Sequence, residues 1–231
     1  MLKVTYTVPS VFSIKKFNDS HLAARSYEYP MLTTIRGAIL GSVIERKGRL
    51  AAEKIFRKLK NIQIFIQYPN SFTIGQQKIK RMSNKGYEYK YSEESKGDWE
   101  GKYTVGIREY VYTDKIVFYI DESIDDIIEY LVNIDRIGDS ESLVMLESIE
   151  KVTEMENVLV EWNESIGYDT RLYELYDWET KLNKKGDKDS GMNFEDVYIF
   201  SENKKAKYIK RLCYIKDKIV VSGILLDNNG A

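Results

Sequence analysis

Hydrophobic and polar positions change their period several times along the chain, and each change marks an element. LKVTYTV (2–8) alternates and is rich in β-branched residues, which predicts a strand with one buried face. Pro9 ends it, and the polar stretch to Ser26 is a loop carrying Lys15, Lys16 and Arg25. In TTIRGAILGSVI the apolar residues Ile35, Ile39, Leu40, Val43 and Ile44 recur at helical spacing. Thr33 or Thr34 is the expected cap, and Pro30 blocks extension backwards. Gly37 and Gly41 lie four apart on that helix, where a missing Cβ lets another group approach closely. After Gly48, RLAAEKIFRKLK predicts a further basic helix, and NIQIFIQY (61–68) a second strand closed by Pro69-Asn70.

Residues 71–103 are polar and punctuated by Gly75, Gly86, Gly97 and Gly101. QQKIKRM and YEYKY alternate within them, so a long exposed β-hairpin is predicted, its basic half including Lys78, Lys80, Arg81, Lys85 and Lys90. An excursion of this length inside a domain is usually functional or disordered. KYTVGIREYVYTDKIVFYI (102–120) reads as two strands around Thr113-Asp114. IDDIIEYLVNI (124–134) reads as a helix capped by Ser123, and LVMLESIEKV as another strand. Between the last two lies RIGDSESLV (136–144), a glycine-centred turn that could bind phosphate, bind a metal, or simply reverse the chain.

The order is strand, helix, strand, hairpin, strand, helix, strand. This is the α+β, ferredoxin-like βαββαβ plan shared by RNA-recognition modules, with an inserted β-hairpin. It assigns residues 1–154 to one domain, with the hairpin at about 71–103, and 155–231 to a smaller, mostly β C-terminal region. In that region DVYIFS, KYIKRLCYI and KIVVSGILL predict strands.

Composition narrows the chemistry. The single cysteine, Cys213, excludes a disulfide framework and a cysteine-based zinc cluster. The N-terminus has no signal-peptide pattern and no apolar run reaches the length of a membrane span, so a cytoplasmic protein with no membrane partner is expected. The only histidine, His21, leaves histidine-based metal sites and Ser-His-Asp relays without parts. Asp125 and Asp126 have a spacing that could hold Mg²⁺, but at a helix start they meet its dipole instead. No cofactor and no metal are expected. Tyrosine, at 18 residues, supplies flat faces with a polar end, suited to a wet partner surface.

Charge is unevenly placed. Residues 1–120 hold 21 Lys and Arg against 11 Asp and Glu, and the remaining 111 residues hold 14 against 25. The basic half points to a polyanion. Phosphate candidates cluster around the first helix: Arg25 and Arg36 near its start, and Arg46, Lys47 and Arg49 at its far end.

Three blocks carry a resemblance: SYEYPMLTTIRGAILGSVI (26–44), VGIREYVYTDKIVFYI (105–120) and RIGDSESLVML (136–146). In this order, over roughly the first 150 residues, they resemble the CRISPR-associated Cas-five family, of the RAMP superfamily. The resemblance implies a non-catalytic subunit of a type I surveillance (Cascade) complex in antiviral defence. Such a subunit grips the 5′ tag of the guide RNA and contacts the backbone and large subunits, meeting target DNA only indirectly. It implies that Thr33, Thr34, Arg36 and the basic loop meet RNA, that the hairpin is a thumb with Arg108 at its base, and that Ser140 and Ser142 either reach backbone phosphate or cap the strand of a structural turn. Arg136 completes the candidate RNA set. Three alternatives stay open. One is a metal-independent endoribonuclease processing precursor guide RNA with Tyr, Lys and His21. The others are the equivalent subunit of another CRISPR effector class, and a ferredoxin-like protein-interaction module.

Overall fold

The computed structural model describes residues 1–17, 19, 23–82, 88–89, 99–100, 103–139, 141–166, 170–179, 191–198 and 207–221. Along the chain the elements are β1 (Leu2–Thr7), β2 (Ala23–Ala24), α1 (Leu32–Lys47), α2 (Arg49–Asn61), β3 (Ile64–Ile66) and β4 (Thr73–Met82). There follow β5 (Glu88–Tyr89), β6 (Trp99–Glu100), β7 (Tyr103–Tyr112), β8 (Lys115–Ile120), α3 (Ile127–Val132) and β9 (Met145–Lys151). The last are β10 (Glu154–Glu161), β11 (Tyr173–Trp178), α4 (Phe194–Val197) and β12 (Tyr208–Val220).

The central sheet has the order β3-β8-β1-β9, every pair antiparallel. Leu2, Val4 and Tyr6 of β1 are buried, as the alternation requires, and the Tyr6 hydroxyl donates to the Leu131 carbonyl 2.6 Å away. β4 and β7 form a regular ladder from Thr73–Tyr112 to Met82–Tyr103, joined by β2 alongside β7. The C-terminal strands make a third sheet, β10-β12-β11. One apolar cluster runs through all of this, taking in Val4, Ile35, Ile39 and Phe118 together with Leu159, Leu175, Trp178 and Cys213.

Several expectations change on contact with the structure. Met31, with no side-chain cap, precedes α1, and Thr33 and Thr34 lie inside its first turn. Ser123 does not cap α3, which starts after Asp126, a residue in the left-handed region at φ 61°. Asp125 and Asp126 reach the ammonium groups of Lys58 and Lys47, each at 3.2 Å. DVYIFS does not open as a strand: Asp196 and Val197 finish α4, where Asn193 and Asp196 make a capping box. KYIKRLCYI and the start of KIVVSGILL are one strand, β12.

The largest correction concerns Arg36. It faces inward at 4% exposure, not toward solvent. Its guanidinium clamps Asp177 of β11 with two contacts, Nε to Oδ1 at 2.7 Å and Nη2 to Oδ2 at 3.1 Å. It also donates to the carbonyls of Leu59 and Ile62 where α2 ends. A buried charge is tolerated only when its donors are satisfied in this way, and it is unavailable to a ligand.

Arg36→Met is expected to lower stability by about 3–5 kcal/mol, because it leaves the Asp177 carboxylate buried and unpaired. Arg36→Met combined with Asp177→Leu should be less destabilised than the sum of the two single changes. Denaturant unfolding of the three variants measures this, and strict additivity would refute the coupling.

Candidate functional site

Burial of Leu32, Ile35, Arg36, Ile39, Leu40 and Val43 fixes the rotation of α1. Thr33, Gly37, Gly41 and Glu45, at four-residue intervals, therefore lie on the opposite side. An added Cβ at Gly37 or Gly41 would meet no heavy atom within 4 Å. The close approach these glycines permit is thus to open space, not to a neighbouring strand or helix. That space is a groove of about 740 Å³. Its floor is the α1 face, one wall is Ser13–Lys15, and the other is the segment from Asn133 to Asp139. Trp178, Asp196, Val197 and Tyr208 close it from the C-terminal side. The N-terminus of α1 has no side-chain cap and no carboxylate in its first turn.

Five of the residues expected from sequence meet here: Lys15, Thr33, Thr34, Arg108 and Arg136. The two arginines are held differently. Arg108 places Nη2 2.8 Å from Asp139 Oδ2, both side chains 19% exposed, and its Nε donates to Ser13 Oγ at 3.2 Å. Arg136 pairs with its own neighbour Asp135 at 3.1 Å with both side chains half or more exposed. The Arg136 guanidinium beside it keeps the Asp135 carboxyl below its ordinary range. Glu45 and Asp196 add negative charge to the lining, so the groove is mixed in sign and not a uniform basic channel.

The turn at 136–144 takes its shape from internal bonds. Gly138 has φ +121°, and a Cβ there would sit 3.0 Å from Ser142 Oγ and 3.3 Å from the Ser13 carbonyl. Ser142 is fully buried: its Oγ accepts from the Ser13 amide at 3.2 Å and donates to Asp139 Oδ1 at 2.7 Å. Glu141 accepts from the Tyr110 hydroxyl. Ser142 therefore pins the loop wall to the turn and does not face a ligand, while Ser140 lies outside the described residues.

The other expected residues sit elsewhere. Arg25 is tied to Asp19, whose carboxyl is held down to about 2, chiefly by hydrogen bonds from Arg25. Lys16 lies 5.4 Å from the Tyr27 ring centroid. Arg46 donates to Asn133 Oδ1. Lys47 reaches Glu129 at 2.9 Å and Asp126, and these partners raise its pKa. Arg49 pairs with Glu195 and covers the Tyr198 ring at 4.7 Å. Arg46 and Lys47 thus tie the end of α1 to the α3 region, and Arg49 ties the start of α2 to α4. Lys78 is exposed on β4, opposite Ile107. Lys80 and Arg81 are placed by their backbone in β4, and Lys85, Lys90 and His21 lie outside the described residues. Sequence reasoning missed Ser13, Trp178 and Tyr208, whose place in the groove depends on contacts distant along the chain. Among the described residues there is no cluster of metal-ligating side chains, and no helix is long and apolar enough to cross a membrane.

Comparison with known proteins adds one clear relative. No protein-family model matches the chain. The CRISPR-associated protein Cas5 of Archaeoglobus fulgidus is 28% identical over 156 residues, which span 66% of this chain and 65% of that protein. A crystal structure of a CRISPR protein from the same organism superposes with a TM-score of 0.47 at 15% identity, covering 93% of this chain and 85% of the other. The chain is therefore similar to a curated protein of the family that its sequence blocks resemble.

The groove's glycines separate two kinds of requirement. Gly37→Ala and Gly41→Ala should each stabilise the isolated protein by about 0.5–1 kcal/mol, since the added methyl meets nothing and helix propensity improves. Gly138→Ala should destabilise it by about 1–3 kcal/mol, because the turn requires a positive φ and has no room. Denaturation midpoints of the three variants, at unchanged slope, check both signs.

Proposed function

We propose that this chain is a Cas5-type, non-catalytic subunit of a CRISPR surveillance complex, which holds the 5′ tag of the guide RNA in the groove along α1. The observation that carries this reading is the convergence of Lys15, Thr33, Thr34, Arg108 and Arg136 on an open glycine face. In this reading the sheet β3-β8-β1-β9, with helices between its first and second and its third and fourth strands in chain order, is the ferredoxin-like core. The β4–β7 hairpin is the thumb against a backbone subunit, and residues 155–231 form the region that faces the large subunit.

The physical chemistry favours a single strand with its backbone in the groove. An uncapped helix start offers amide groups to a phosphate. The mixed charge is compatible with this, because phosphate can replace a carboxylate as partner of an exposed arginine at little cost. Arg136, paired among the described residues with its exposed neighbour Asp135, is the arginine best placed for that exchange. Arg108, half-buried between Asp139 and Ser13, positions the wall and meets RNA secondarily. Glycines on the floor let ribose and phosphate approach the helix backbone.

The test is affinity capture of the tagged protein from its host, with sequencing of bound RNA and identification of bound proteins. Short RNAs sharing one constant 5′ end, together with several other subunits, are expected; protein that is free of RNA overturns the reading. With a constant-end RNA in hand, Arg136→Glu should weaken binding and reduce the slope of log affinity against log salt by about 0.7, the share of one phosphate on a single strand. Incubation with precursor RNA is expected to give no cleavage. Cleavage that disappears in His21→Ala would move the assignment to an endoribonuclease.

A further inference from the structure

The aromatic residues beside the groove are arranged in a way that phosphate binding does not use. Phe17, in the loop after β1, lies flat on Tyr176 of β11, with ring centroids 4.1 Å apart and planes inclined by 14°. Tyr208, at the start of β12, meets the same Phe17 ring edge-on at 5.0 Å and 75°. Tyr176 is buried by this stack, yet Phe17 and Tyr208 remain 42% and 41% exposed. Tyr208 also lines the groove, next to Trp178, its register partner across the β11–β12 ladder. One aromatic corner, anchored on the central and one edge strand of the C-terminal sheet, therefore stays exposed at the groove's end.

We propose that Phe17 and Tyr208 form a stacking seat for one unpaired nucleobase of the RNA strand whose backbone occupies the groove. This rests on the RNA reading above and goes beyond it by assigning a base-binding position. Three features select a nucleobase over a protein side. The exposed area is that of two partly covered rings, far short of the roughly 800 Å² per partner of a stable protein interface. It is continuous with the groove, so a strand held there by its phosphates has a base within reach of the corner. Lys16, its ammonium over Tyr27, and Lys210, paired with Glu174, set two ammonium groups against one carboxylate beside the corner, a balance that suits an adjoining phosphate. Single-stranded RNA is commonly read this way, by splaying a base onto an aromatic face while cations track the backbone.

The experiment measures binding of the full-length chain to fluorescein-labelled single-stranded octaribonucleotides, one of mixed sequence and eight in which each position in turn is abasic. Wild type should lose about 5- to 150-fold in affinity at one abasic position, the contribution of one stacked base. Phe17→Leu keeps the apolar contact with Tyr176 but has no aromatic face, and Tyr208→Leu does the same at the second ring. Each should lose a similar factor on intact RNA and nothing further at that abasic position, with the salt slope unchanged. Tyr208→Phe should bind as wild type does, and thermal melts of all variants check the fold. Variants that bind intact RNA as wild type does, or that lose the same factor at every abasic position, overturn the seat while leaving RNA binding standing. Wild type that binds none of the nine oligomers overturns both.

Discussion

The Arg36–Asp177 pair is the contact on which the rest of the arrangement depends. One guanidinium holds the first helix, the end of the second helix and the penultimate strand together. Moving two charges out of water costs several kcal/mol each, and only near-complete hydrogen bonding offsets it. Here the carboxylate takes two donors, and the Leu59 and Ile62 carbonyls at the end of α2 take the others, satisfying acceptors that a helix end leaves open. The same contact fixes the rotation of α1. With Arg36 inside, Gly37 and Gly41 must face out, so the groove floor follows from a buried ion pair on the adjacent residue.

The groove's electrostatics follow from the same economy of partners. Nearly every cation around α1 already has an oxygen or ring to meet: Arg25 has Asp19, Arg46 has Asn133, Lys47 has Asp126 and Glu129, and Arg49 has Glu195. A basic half-sequence therefore does not become a basic surface of equal strength. What matters is how tightly each carboxylate is held. The half-buried Asp139 is locked by Ser142 as well as Arg108, whereas the ion-pair partner of Asp135 among the described residues is an exposed arginine. The second kind of pair is the one an anion could exchange at least cost.

How far the sequence made this legible depends on the reach of each interaction. Period-two and helical spacing located β1, α1, α2 and the β7–β8 turn, because these patterns are local; the hairpin was expected within 71–103, whereas β4 takes Tyr103–Tyr112 as its partner strand. Glycine at 37 and 41 marked a helix face on which close approach is sterically open. Arg36 was misjudged because its partner lies 141 residues away. Ser142 looked like a phosphate donor because serine in a glycine turn has that chemistry. Its burial is set by Ser13, 129 residues earlier in the chain. The long β12 was read as two strands because Asp217 and the lysines around it resemble a turn, although pairing with β10 carries the ladder through them.

The loop from Val11 to Phe17 shows why distance along the chain matters for function as well as for prediction. A free loop of this kind would lose conformational entropy on meeting a ligand. This one is held beforehand from several sides. Phe12 bridges to Val111, and the Ser13 amide is held by Ser142. Ile14 donates to Ser26 Oγ at 2.9 Å, and Ser26 in turn donates its amide to Glu109 at 3.1 Å. Phe17 closes the series on Tyr176. The wall of the groove is thus ordered by the β2-β7-β4 sheet, the glycine turn and the C-terminal sheet at once. A ligand entering the groove would have little of this wall left to order, and a shift in any of the three would change the width of the groove. The C-terminal sheet contributes by holding, through Tyr176, the end of the loop that carries Lys15 and Phe17.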